Sequence, residues 1–387
     1  MRRSSELATS GAWATAIAFG PARIGYGLFL PRFRDLFGLS QSTAGLIASA
    51  AFAGFFVALL LAGMLVARRG ARLPVVAGSV AALAGFLLVA SAQGVYILAL
   101  GVVLAATSAG FCWTPFNDAV EQAVAETRRA RTLSIVSTGT TVGIACSGAL
   151  AIGATGFSYG WRLAWLLFAA AALVSALGNS WALRGLRAPA EHANTRRLTW
   201  RAWGRPALPL YAIAGSFGIT NSIYLSFAVD RVSHSGGLAG LSDELSGPVL
   251  YIAFGLGGLI GLATADIKQR TGLPALVRVI FICSGVSVAL LGGWPAAWWS
   301  VLLSAALQGV CVMVLSAIFS FWSESLYPST PTLGFTVVLS LFAAGNIVGP
   351  VLAGYSATAF GPAPMFFATA ALSLATALLF PPHVRQR

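Results

Sequence analysis

Apolar runs of about twenty residues, separated by short polar or Gly/Pro breaks, dominate this chain and predict twelve membrane-crossing helices. They lie near 11–34, 43–67, 73–92, 95–118, 132–155, 161–183, 207–230, 247–265, 274–292, 297–321, 332–355 and 364–380. The first run carries no short apolar core followed by a small-residue cleavage site, so it reads as a retained span and not as a signal peptide. Only one of the runs holds a charge near its middle: Arg23, within AWATAIAFGPARIGYGLFLP. A helix starting near Gly11 carries Arg23 roughly 18 Å into a hydrocarbon layer about 30 Å thick, too deep to snorkel. Such a placement costs at least about 2.5 kcal/mol, so Arg23 is expected to face a wet or protein-lined cavity and to have a function there.

Composition agrees with the pattern. Of 387 residues 57% are hydrophobic and 9% charged, against about 25% charged in soluble domains. The expected class is therefore an all-α polytopic membrane protein. Basic residues set its orientation: nineteen of the 24 cluster at Arg2 and Arg3, at 68–72, 128–131, 184–205 and 268–278, and at Arg385 and Arg387. With the N-terminus in the cytoplasm all of these are cytoplasmic, while Arg32, Arg34, Arg162 and Arg231 fall outside. Both termini are thus expected in the cytoplasm. The net charge of +13 is then spread over short loops facing anionic lipid headgroups, and nucleic acid is not an expected partner. Trp294, Trp298 and Trp299 crowd an external loop at the depth indoles prefer. Cys112, Cys146, Cys283 and Cys311 lie in apolar segments at no metal-like spacing and are expected to be small packing residues.

The chain also repeats itself. Phe19-Gly20 with Arg23 and Tyr26 in span one matches Phe217-Gly218 with Asn221 and Tyr224 in span seven. Gly139, Gly143 and Gly148 of span five recur as Gly345, Gly349 and Gly354 of span eleven, and Asp118 recurs as Glu324 at the same offset of 206. Spans three and nine both open on Leu-Pro, at Leu73-Pro74 and Leu273-Pro274. Together these order two pseudo-symmetric six-helix halves, residues 1–183 and 207–387, joined by an Arg-rich cytoplasmic linker at 184–206.

With these repeats in view, the chain resembles the major facilitator superfamily of transporters over essentially its whole length. The loop Gly63-Met64-Leu65-Val66-Ala67-Arg68-Arg69-Gly70-Ala71-Arg72 is similar to that family's G-x-L-A-D-R-x-G-R-R motif, with Ala67 in the place of its Asp. Asp266, Lys268 and Arg270 form a shifted counterpart in the second half. Gly139 to Gly148 and Gly345 to Pro350 partly match the efflux-associated signature of span five. The stretch around Arg23, with Tyr26, Leu30 and Pro31, is similar to a bacterial YbfB-like branch of permeases.

The resemblance implies a central cavity lined by spans one, four, seven and ten and opened alternately to either side. The substrate-binding candidates are Arg23, Tyr26, Trp113, Asn221, Tyr224, Gln308 and Asn346, with Arg23 and Asn221 expected to face one another by pseudo-symmetry. The same side chains also suit ordinary helix packing. The motif glycines are expected to let helices approach closely across the interface between the halves. Proton coupling needs a carboxylate, and none lies at mid-span: Asp118, Glu324, Asp230 and Asp266 all sit at span ends. Asp118 and Glu324, with Arg68, Arg72 and Asp266, are candidates for a cytoplasmic gate.

No enzyme chemistry is visible. His192, His234 and His383 lie in loops or the tail, with no Cys or acid at metal-ligand spacing, and no cofactor is expected. The expected function is a monomeric secondary transporter of a small organic solute in a bacterial inner membrane, proton-coupled and exporting. The alternatives are an importer of a small organic anion anchored by Arg23, and a sensor that keeps the fold without transporting.

Overall fold

A computed structural model describes residues 2–154, 160–186, 207–327 and 331–379. Most of the expected linker, from 187 to 206, lies outside the described residues, as do Arg385 and Arg387. Eleven helices, all from Gln41 onward, are long and apolar enough to span a membrane among the described residues, and a split first crossing precedes them. The first crossing is split into α1 (Arg2–Phe19) and α2 (Pro21–Phe37). The second and third are α3 (Gln41–Arg69) and α4 (Arg72–Ala90); the fourth is α5 (Val95–Gly110) continued by α6 (Trp113–Ala123); the fifth and sixth are α7 (Glu126–Ala154) and α8 (Gly160–Ala182). The second half holds α9 (Leu208–Ser233), then α10 (Asp243–Gly258) continued through a 3-10 turn into α11 (Thr264–Thr271), then α12 (Leu273–Gly293), α13 (Trp298–Leu326), α14 (Pro331–Phe360) and α15 (Pro362–Leu379).

The break in the first crossing has a local cause. Pro21 has no N–H to give to the carbonyl one turn back and disfavours helical geometry at Gly20, whose ψ is −114°. The chain turns there and restarts with Pro21 in the first turn of α2. Span seven has Ile219 where span one has Pro21, and α9 runs through without interruption. The expected single helix over 11–34 is thus two, and Arg23 stands in the opening turn of the second.

Glycines of the two repeats do equivalent work. A methyl group built on Gly139 or Gly143 would strike the carbonyls of Ala12 and Ala16 on α1, and one on Gly345 or Gly349 would strike Gly215 and Ile219 on α9. These four therefore bring the fifth crossing of each half against the first crossing of the same half. The third glycine of each set does meet the other half: a methyl on Gly148 would lie 2.6 Å from the Pro248 carbonyl oxygen, and one on Gly354 2.6 Å from that of Gln41. The expectation of contact across the halves thus holds for the last glycine only. Gly70 and Gly272, with φ of 76° and 77°, turn the chain into α4 and α12 at matching places, where a side chain would be strained.

The basic residues expected outside are mostly engaged. Arg162 donates to the carbonyls of Ala90 (3.1 Å) and Ala92 (2.9 Å), and Arg231 to those of Leu291 (3.2 Å) and Gly292 (2.9 Å), so each covers carbonyls at a helix C-terminus. Trp294 and Trp299 are exposed with ring centroids 5.9 Å apart, and Trp298 donates to the Ala239 carbonyl. Cys112 and Cys311 are buried packing residues as expected, but Cys146 is exposed on α7.

Candidate functional site

The turn at Gly20 delivers the Arg23 guanidinium into a cage of phenyl rings. Its central carbon lies 5.7 Å from the ring centroid of Phe19, 5.5 Å from Phe52, 5.1 Å from Phe55 and 5.8 Å from Phe342. Phe52 and Phe55 are one turn apart on α3, and Phe342 comes from α14, so both halves contribute. Each such contact is worth about 0.5–2 kcal/mol, which offsets part of the cost of a charge at this depth. Ring faces meet the charge but give the five N–H donors no oxygen to bind. Among the described residues no acid pairs with Arg23, and its guanidinium makes no hydrogen bond.

Arg23 lines a narrow cavity of about 20 Å³, with room in this conformer for little more than one water, between α2, α3, α5 and α9. The lining is Ala22, Arg23, Tyr26 and Gly27 of α2, Ala48, Ala51, Phe52 and Phe55 of α3, Val102, Ala106 and Ala109 of α5, and Leu225 and Ser226 of α9. Span two thus takes the place expected of span ten.

Of the seven binding candidates, Arg23 and Tyr26 line the cavity. The Tyr26 hydroxyl donates to the Ala44 carbonyl at 3.1 Å. Asn221 donates to the Asn346 side chain at 3.3 Å, and Asn346 donates to the Phe342 carbonyl at 2.8 Å. This pair ties α9 to α14 one turn from the ring over Arg23. Tyr224 is fully buried, with its hydroxyl 3.1 Å from that of Ser304, which in turn exchanges hydrogen bonds with Ser287. Gln308 is fully buried on α13 with both amide atoms unpartnered. Trp113 opens α6 and packs on the cluster that contains Phe55 and Phe116.

At the end of the bundle away from the linker, a polar clasp joins the halves. Asp230 of α9, 2% exposed, accepts from Arg34 of α2 at 2.9 and 2.7 Å and from Gln41 of α3 at 2.9 Å. His234, one turn along α9, lies 3.3 Å from both Arg34 and Asp230. Beneath the clasp α2 and α9 touch: a methyl on Gly27 would land on the Leu225 carbonyl oxygen, which already accepts from Tyr251 at 2.7 Å.

The gating candidates lie at the opposite end. Asp118 is partly buried and Glu324, Asp266, Arg68 and Arg72 are exposed. Arg72 donates to Ser180 at 3.0 Å, while Asp118, Glu324 and Asp266 make no hydrogen bond or ion pair with any described residue. The helix α6, which carries Asp118, packs on α1, α3 and α7, and α11, which carries Asp266, packs on α12; each stays within its own half.

Sequence reasoning did not find the phenyl cage, because its members come from three separate crossings with no spacing rule between them. Nor did it pair Arg34 with Asp230, which are 196 residues apart.

Residues 12–293 match the family model described as the Major Facilitator Superfamily. Several solved structures share the fold. A bacterial homolog of the human lysosomal transporter Spinster, in an inward-facing and occupied conformation, is 17% identical with a TM-score of 0.74, over 98% of this chain and 96% of that one. A POT family transporter in complex with 5-aminolevulinic acid is 14% identical with a TM-score of 0.78, over 100% of this chain and 97% of that one. The nucleoside transporter NupG is 14% identical with a TM-score of 0.74, over 98% of both chains. No curated protein matches the sequence.

Proposed function

The chain belongs to the Major Facilitator Superfamily, a secondary transporter by fold, and from that premise we propose that it moves a small organic solute by alternating access with Arg23 as the anchor. The observation that supports this reading most is the Arg23 guanidinium, held by rings from both halves and without an acidic partner. A charge kept at that depth with its donors unspent is suited to a ligand that brings the acceptor. Within the family, the residues around Arg23 favour the YbfB-like permeases.

The Asp230 clasp supports a conformer closed at the outer end, since it ties α2 and α3 to α9. In the alternate conformer the clasp parts and the linker end closes, with Asp118 and Glu324 meeting the bases at 68–72 and 268–270. The energy source we propose is the proton gradient, and the Asp230 clasp, whose charge Arg34 and Gln41 hold, is the part that must open at the outer end. Net export in a bacterial inner membrane, with both termini cytoplasmic, follows from the basic loops and the partial efflux signature.

Flux in proteoliposomes under an imposed pH gradient tests the reading, using ligands first found by thermal shift of the purified protein. Accumulation driven by the gradient, and lost in Arg23→Ala, is the expected result. A ligand that binds at Arg23 but never crosses the membrane would replace the transporter with a sensor.

A further inference from the structure

We propose that the cavity beside Arg23 selects a lipophilic monocarboxylate, an aryl or branched-chain acid, with its carboxylate on the guanidinium and its apolar body against the phenyl wall. This rests on the reading of Arg23 as a substrate anchor and adds the chemical class to it. Four features of the site set the class.

Charge comes first. Arg23 is the only ionisable cation or acid among the residues lining the cavity, apart from the phenol of Tyr26. One positive charge balances one negative charge. A dicarboxylate would leave its second carboxylate against Ala and Phe side chains, and an amino acid would leave its ammonium without an acid.

Shape follows from the donors. The guanidinium fork has no protein oxygen on it among the described residues, so a planar carboxylate can take two parallel hydrogen bonds, which is the arrangement that an arginine favours over a point charge.

The walls decide the body of the ligand. Phe52 and Phe55 face Arg23 from α3, Phe342 covers it from α14, and the rest of the lining is mainly Ala, Val and Leu. A ring or branched alkyl group would stack there, and exclude water from the ion pair, in a conformer whose halves part enough to admit it.

Polar capacity is small. The lining side chains offer two hydroxyls, and that of Tyr26 already donates to the Ala44 carbonyl. A sugar acid would therefore enter with most of its hydroxyls unpartnered, a penalty that a site of this composition cannot return.

The test uses the purified full-length protein and calorimetric titration with sodium benzoate and 3-phenylpropionate, against benzamide, phthalate, gluconate, phenylalanine and sodium chloride. Both monocarboxylates are expected to bind at least tenfold more tightly than any of the others. Arg23→Ala should weaken them by roughly ten- to a hundredfold, and Arg23→Lys should restore only part. If Arg23→Ala does not fold, Phe55→Leu serves instead: it should weaken benzoate severalfold while leaving acetate, titrated alongside, unchanged, and an equal effect on both overturns the proposal.

Equal binding of benzamide would show that the guanidinium does not hold a carboxylate, and would overturn the proposal. Equal stabilisation by chloride would reduce the site to a bare anion site, and tighter binding of phthalate or gluconate would give it to another class; either result also overturns it. Flux separates this failure from failure of the transporter reading. Benzoate that binds through Arg23 without crossing proteoliposomes sinks transport and leaves the class standing. A different solute transported through an Arg23-dependent site, with no benzoate binding, sinks the class and leaves transport standing.

Discussion

Asp230→Asn should shift the protein away from the conformer described here, because the clasp it anchors exists only where the outer ends of the two halves meet. The carboxylate is 2% exposed and takes hydrogen bonds from Arg34 at 2.9 and 2.7 Å and from Gln41 at 2.9 Å. Breaking a fully buried pair costs about 3–5 kcal/mol. Two features reduce that figure: Arg34 retains 18% exposure, and Asn keeps one acceptor oxygen for it. About 2 kcal/mol is a reasonable net loss, and it falls on the closed-end conformer alone, since the pair is already parted in the other. At about 1.4 kcal/mol per decade this changes the ratio of the two conformers roughly 30-fold. Spin labels on Cys introduced at Leu36 and Ala239, with the exposed Cys146 replaced, report the opening of this end as a second, longer distance. The population of that distance should rise in Asp230→Asn and in Arg34→Gln, and the double variant should add little to either. An unchanged distribution in both single variants would refute the assignment of the clasp as a gate. Additive effects in the double variant would show that Arg34 and Asp230 act on other partners.

Three further outcomes are expected. Gly27→Ala places a methyl against the Leu225 carbonyl, a backbone atom that cannot swing aside; the same spin-label pair should report more of the longer distance, and a shift the other way would rule out steric closure at Gly27. Asp118→Asn and Glu324→Gln remove charges that have no described partner in this conformer, so they should favour it over the alternate one without abolishing ligand binding. Loss of binding by folded protein would make them cavity residues instead. A Cys at Arg197 should resist impermeant maleimide in intact cells and react after permeabilisation, and strong labelling in intact cells would invert the topology.

Much of the architecture was legible in the sequence because a membrane makes span length nearly sufficient to place its helices. Twenty apolar residues must form a helix to satisfy their own backbone, so every crossing but the first, which begins well before residue 11 and is split at Gly20, could be placed close to its observed ends. The repeats were legible for a related reason: Gly139, Gly143, Gly345 and Gly349 mark places where two backbones approach too closely for a side chain, and that need recurs in both halves. Arg23 stood out because an unpaired charge at mid-span has so few tolerable explanations.

The rest needed the tertiary structure. Symmetry suggested that Asn221 faces Arg23, yet its amide bonds Asn346, and the first crossing breaks at Gly20 where the seventh runs straight. The two helices correspond in sequence while Arg23 and Asn221 meet different partners. The four rings around Arg23 and the Arg34–Asp230 clasp belong to this second class. Their members lie on different crossings, and apolar residues in a lipid-facing helix and in a cavity wall look alike in sequence. Membrane burial dictates that a span is apolar, but only the packing of one helix on another decides which of its apolar residues see lipid and which enclose a charge.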